Sequence, residues 1–274
     1  MKKTVEDVMH VGLITCPRTA SLSELAQILI ENSVHALFVE DEQGTIVGVI
    51  SDIDLLTGEW LFTDPESLKT LRSITAGELM SSPVSSVEIS DPIESVAARM
   101  IAEHIHRFLV TKAGRPVGVI SVSDIVRELG RARVTQRTVQ EVMSRAIVVC
   151  RQETPLPAVA RGMSERFSRS AIVIDSHGIP LGIITGIDLL RVMDDSRFED
   201  LIAAQLMHPP VTITPDATLR EAADAMITHH IHRLVVVDPQ QPDSMPLGLL
   251  STSDILFEMA SLGSAWQKGT MKGR

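Results

Sequence analysis

Apolar and polar positions along the chain follow one pattern written four times. A stripe at i, i+3, i+4, i+7 appears at Leu22, Leu25, Ala26, Leu29 and recurs at Ile93, Val96, Ala97, Met100. It recurs again at Leu156, Val159, Ala160, Met163 and at Leu219, Ala222, Ala223, Met226. That period predicts an amphipathic helix in each copy. A short apolar run precedes each helix, at 14–16, 84–87, 147–150 and 211–213, and a second follows it, at 37–39, 108–110, 171–174 and 234–237. Turn residues come next (Gln43-Gly44, Ala113-Gly114, His177-Gly178 and a Pro-rich loop over 239–246), then a Gly-apolar-apolar strand, which predicts a hairpin. Each copy therefore reads strand–helix–strand–strand–helix, and the class is α/β (α+β) with four β-α-β-β-α units.

Two anchors fix the repeat. The motif glycines Gly48, Gly118, Gly182 and Gly248 are 70, 64 and 66 residues apart. Met9, Met80, Met143 and Met207, each ending a short leading helix, keep a similar period. Thr4-x-x-Asp7, Thr75-x-x-Glu78 and Thr138-x-x-Glu141 read as capping boxes for that helix, whereas the fourth copy has Ile202 and lacks the box. Asp91-Pro92 and Thr154-Pro155 read as a cap followed by proline in the first helical position. The copies alternate: the second and fourth share Ile-His-Arg, at Ile105-His106-Arg107 and Ile231-His232-Arg233, where the first and third have His35-Ala36 and Arg169-Ser170. A pair of units was duplicated, so 1–2 and 3–4 are the expected modules. Boundaries fall at 4–60, 74–130, 137–193 and 199–260, with linkers 61–73 and 131–136 and a mobile tail 261–274. A unit of about sixty residues is marginal alone and should bury its open face on a neighbour.

Candidate chemistry lies where the third strand meets the last helix. Ser51 and Asp54, Ser121 and Asp124, Thr185 and Asp188, and Ser251 and Asp254 each place a hydroxyl and, three residues on, a carboxylate at a helix start. Such a junction can receive an anion. The same spacing is also an ordinary capping box, and both readings stand at this point. For His106-Arg107 and His232-Arg233 the choice lies between phosphate donors and a solvated strand edge; for Arg127, Arg131, Arg133 and Arg137, between a ligand patch and a solvated helix end.

Composition narrows the classes. The net charge of −10 argues against a nucleic-acid binder, and the scarcity of aromatics argues against base-stacking platforms. No apolar run reaches membrane-span length, the start turns acidic where a signal peptide would turn apolar, and Cys16 and Cys150 share an apolar strand slot, so a cytoplasmic, reduced protein is expected. His104, His229 and His230 have no Cys or acid completing a metal spacing, and no metal is expected. No nucleophile–base pair or phosphate-binding glycine loop is visible, so no catalysis is expected.

Four β-α-β-β-α units carrying Gly-h-h-[ST]-x-x-Asp (h apolar) resemble the CBS-domain family, named for cystathionine β-synthase, in two tandem Bateman modules. The resemblance runs from Thr4 to about Met259. It implies paired repeats with clefts that bind adenine nucleotides (AMP, ADP or ATP) or another adenosyl compound. By resemblance the motif Ser or Thr faces phosphate and the Asp accepts from the ribose, while adenine sits near Thr15, Ser86, Val149 and Thr212. The His-Arg pair is similar to one in the nucleotide-sensing subunit of AMP-activated protein kinase, where it binds phosphates. If each pair serves the partner unit, clefts at Ser51/Asp54 and Thr185/Asp188 have the better cation support. The expected protein is a stand-alone regulatory sensor, a disk-like monomer or homodimer acting on some regulated protein. The alternative is a ligand-free interaction scaffold whose Ser/Thr–Asp pairs are only caps.

Overall fold

The computed structural model describes residues 3–56, 74–132, 137–192, 197–241 and 243–261. The connection expected at 61–73, most of the joint at 131–136 and the tail beyond 261 lie outside the described residues. Each unit has a three-stranded core sheet. In the first, Thr15–Pro17 pairs in parallel with Ala36–Glu40, which pairs antiparallel with Ile46–Ser51. The crossover between the parallel strands is the helix Leu22–Glu31, whose Ser21 and Glu24 form a reciprocal capping box. The other units repeat this order around the helices Ile93–Ala102, Leu156–Glu165 and Leu219–Thr228. The expected hairpins and helical stripes are all present, and the small-residue slot Ala26, Ala97, Ala160, Ala223 is buried throughout. Pro92 and Pro155 stand one place earlier than expected, at the N-cap itself. Although Ile202 has no side-chain acceptor, the other half of its box survives, because Gln205 Oε1 accepts the Ile202 N–H at 2.9 Å.

The leading segments do not pack on their own units. Val5 N–H donates to Asp91 and Ala76 N–H to Ala20, so units 1 and 2 exchange their first turns. Units 3 and 4 do the same through Val139 to Ala217 and Ala203 to Thr154. His10–Val11 then adds a fourth strand to the sheet of unit 2, paired with Gly118 and Val119. This exchange explains both sequence anchors, because Met80 packs on Gly48, Met9 on Gly118, Met207 on Gly182 and Met143 on Gly248.

Helices associate the other way, between modules. One core joins units 1 and 3 through Leu25, Leu37 and Leu55 with Ala160, Ile184 and Leu189. The second joins units 2 and 4 through Val96, Phe108 and Ile125 with Ala223, Leu234 and Ile255. A smaller apolar contact, Ile172 and Ile174 with Val235, lies between the sheets of units 3 and 4. The expected pairs 1–2 and 3–4 are therefore real at the level of exchanged segments, yet each main core crosses the pair boundary. Among the described residues no helix is long and apolar enough to cross a membrane.

Candidate functional site

The motif junctions fold alike in all four units. In each, one carboxylate oxygen, Oδ2, accepts two bonds from the motif Ser or Thr: its backbone N–H and its hydroxyl. The hydroxyl distances are 2.7 Å for Ser51 to Asp54 and 2.6 Å for Ser121 to Asp124, Thr185 to Asp188 and Ser251 to Asp254. The backbone distances lie between 2.7 and 2.9 Å. A hydroxyl has one proton to give, and here it is given to the carboxylate. The motif Ser or Thr thus offers a phosphate no free O–H until that bond turns away.

What differs between the units is the second oxygen, Oδ1. His10 Nε2 lies 2.9 Å from Asp124 Oδ1, and His208 Nε2 lies 2.9 Å from Asp188 Oδ1. A carboxylate only accepts, so the imidazole donates in both. Arg127 and Arg191 approach the same oxygens at 3.9 and 3.6 Å. Residue types alone gave no reason to single out His10 and His208. The available signal was the residue after each leading methionine, which reads His10, Ser81, Ser144, His208.

The residues that open the second strands meet at one point. His35 and His232, from the first and fourth units, make an edge-to-face ring contact with centroids 5.1 Å apart. His35 Nδ1 bonds Asp52 Oδ2 at 3.0 Å, and His232 Nδ1 bonds Ser123 Oγ of the second unit at 3.0 Å. Arg169 of the third unit is close enough to act electrostatically on Asp52, His106, Arg107 and Arg233. Burial pushes the His106 and His232 imidazoles down to about 4. Neighbouring Arg169, Arg107 and Arg233 add to this at His106, and His35, Arg233 and Arg107 at His232. Burial likewise lowers Arg107 and Arg233 to about 10, partly offset by Asp52. Both guanidiniums therefore stay charged at neutral pH.

Asp52, 6% exposed, faces these cations. Burial raises its carboxyl, but the His35 hydrogen bond and the charges of His35, Arg169 and Arg107 outweigh that and hold it below the ordinary value. Sequence reasoning missed Asp52, although the other units have Val122, Gly186 and Thr252 in that slot. Beside this centre, between units 2 and 4, a cavity of about 190 Å³ is lined by Ser123, Arg127, Met226, His230, His232 and Thr252.

His106, Arg107, His232 and Arg233 are thus brought together, with His35 and Arg169 added. Arg107 acts electrostatically on both Asp54 and Asp124, and Arg233 on Asp254. Of the adenine positions, Thr15 is half-buried, while Ser86, Val149 and Thr212 are exposed on their strands. No cluster of three or more His, Cys, Asp or Glu suited to a metal occurs among the described residues. Cys16 and Cys150 are free thiols raised to about 11 by burial, the first buried and the second half-buried.

Among solved structures, the fold is similar to that of MJ1225 from Methanocaldococcus jannaschii, a candidate archaeal homolog of g-AMPK. The TM-score is 0.79 at 19% identity, over 94% of this chain and 100% of that one. A conserved protein from Pyrococcus horikoshii gives a TM-score of 0.61 at 23% identity, again over 94% and 100%. In sequence the chain is 22% identical to MJ1404 of Methanocaldococcus jannaschii over 99% of its own length, and spans 64% of that relative. At these identities the likeness is one of fold. The family profile described as CBS domain matches residues 5–59, 76–131, 139–195 and 202–261, each containing one motif junction. The chain belongs to the CBS-domain family.

Proposed function

We propose that the chain is a regulatory, non-catalytic sensor of an adenine nucleotide or related adenosyl compound. In this reading the ribose diol bonds a motif carboxylate and the phosphate turns toward the shared centre. The observation that carries it is the convergence of Arg107, Arg169 and Arg233 on a partly buried point where Asp52 supplies an opposing charge. Like charges held together out of water are costly, and a multiply charged anion relieves that cost. Phosphate suits forked guanidinium donors better than other common anions do. A vicinal diol in turn suits a carboxylate oxygen with spare lone pairs. The resemblance of the motif to nucleotide-binding CBS pairs points the same way. The regulated partner is a protein whose affinity changes with occupancy.

The capping bonds at all four motifs favour a second reading, a scaffold in which these pairs only start helices. A thermal-shift series with AMP, ADP, ATP and S-adenosylmethionine separates the two. At a hundredfold excess over Kd, binding adds about 2.7 kcal/mol. That moves the midpoint by about 5 °C or more for a chain of this size. A flat response to all four compounds overturns the sensor.

A further inference from the structure

The four motif carboxylates are not equally available. At Asp124 and Asp188, Oδ2 carries two bonds from the motif hydroxyl residue, while Oδ1 carries a histidine at 2.9 Å with an arginine close by. At Asp54 and Asp254, Oδ2 is engaged in the same way, but among the described residues no donor reaches Oδ1. The difference comes from the exchanged leading segments. His10 and His208 sit opposite Val119 and Ile183 in the register that Ser81 and Ser144 occupy opposite Val49 and Leu249. Serine at that position carries only a short hydroxyl, and among the described residues it makes no bond to Asp54 or Asp254. The arginine slot also differs, since the fourth unit has Phe257, which has no side-chain donor, where the second and third have Arg127 and Arg191.

We propose that His10 and His208 close the ribose-accepting positions at Asp124 and Asp188, leaving Asp54 and Asp254 as the first nucleotide sites, one in each pair of repeats. The proposal rests on the sensor reading above. A diol donates two hydrogen bonds side by side, and a carboxylate receives them well only if one oxygen is unengaged. Where a histidine already fills one of that oxygen's two acceptor positions and an arginine stands beside it, the second ribose hydroxyl bonds only if the histidine leaves, and that exchange gains nothing net. Both imidazoles are largely exposed, 62% for His10 and 56% for His208, so removing them leaves the cores intact. Hence the histidines act as plugs that lower affinity without shaping the fold.

The test is calorimetry with AMP on the full chain. Wild type should bind two AMP per chain in its tight class. The double variant His10→Ala/His208→Ala should gain a further class, roughly tenfold or more tighter than the residual binding of wild type there. Adding Asp124→Ala and Asp188→Ala to that variant should remove the gained class. His10→Gln/His208→Gln, which keeps a side-chain donor, should behave as wild type does. Wild-type stoichiometry and affinity in the double alanine variant overturns this proposal alone, and so does loss of the wild-type sites on removing the histidines. If AMP binds none of these proteins, the same titrations are run with ADP, ATP and S-adenosylmethionine; failure of all four overturns the sensor reading and this proposal with it.

Discussion

Met207, in the leading segment of the fourth unit, packs on the backbone of Gly182 in the third, so tightly that a Cβ on the glycine would stand 2.7 Å from Met207 Cβ. The same pairing occurs at Gly48 with Met80. At Gly248 the obstacle includes backbone, because a Cβ there would come within 2.6 Å of the Ser144 carbonyl oxygen. The glycine recurs because a neighbouring unit occupies the place of its side chain.

Gly182→Ala should therefore destabilise the protein by about 1–3 kcal/mol, the range for overpacking a filled site. Gly248→Ala should cost more, because a carbonyl cannot turn aside as a thioether can. Urea denaturation measures both. Combining Gly182→Ala with Met207→Ala should recover part of the loss, with a coupling of about 1 kcal/mol or more. Simple additivity would mean the two side chains do not compete for one space.

Acid should weaken the protein well above the carboxylate range. His106 and His232 take up a proton near 6.5 when unfolded but only near 4 in the fold. Between those values the unfolded chain binds more protons, so stability falls as pH drops from about 6.5 to 4 and levels off below. Each histidine should account for about 2 kcal/mol or less, given its residual contact with water. Asp52, whose carboxyl is held down, adds a loss at still lower pH, as it protonates. His106→Gln/His232→Gln should flatten the upper window, as read from denaturation midpoints between pH 7 and 4.

In the proposed sensor the same imidazoles should make binding and protonation cooperate. A phosphate at the centre favours the charged form that burial disfavours, so AMP should bind more tightly at pH 5.5 than at 7.5, with net proton uptake. Calorimetry in two buffers of different ionisation enthalpy, compared between wild type and His106→Gln/His232→Gln so that the nucleotide's own phosphate titration cancels, reads that uptake; no difference would place the phosphate away from His106 and His232.

Arg107→Ala and Arg233→Ala should each weaken AMP by roughly ten- to a hundredfold, the value of a charged hydrogen bond. Asp52→Asn should act oppositely. It removes the internal anion among these cations, so affinity should rise, more for ATP than for AMP, while the empty protein loses stability. Weaker binding of both nucleotides to Asp52→Asn would show that the carboxylate organises the cations rather than competing with the ligand.

Local structure was legible in the sequence because its causes are local. The stripes at Leu22 and Ile93, the turn at Gln43-Gly44 and the boxes at Thr4 and Thr75 are decided within a few residues, and the structure keeps them. Glycine and methionine were both visible as anchors, but not that Met80 belongs to Gly48 of another unit, since periodicity says nothing about which copy a segment joins. The centre was half legible: His106-Arg107 and His232-Arg233 stood out by repetition, whereas Asp52 and Arg169 each occur in one copy and gain meaning only where four strand starts meet. His10 was hidden for a different reason, since its partner Asp124 is 114 residues away.

The exchange of leading segments also sets an order on synthesis. Val5, fully buried in the second unit, has no seat until the chain around Asp91 and Phe108 has been made. The core of units 1 and 3 waits for residues as far as Ala203, and that of units 2 and 4 for Leu256. About three quarters of the polypeptide must emerge before the first core can close and nearly all of it before the second, and contacts so distant in sequence make for slow folding. Until then the sheets of the emerged units stand complete but uncovered, with the apolar stripes of Leu25 and Val96 facing solvent.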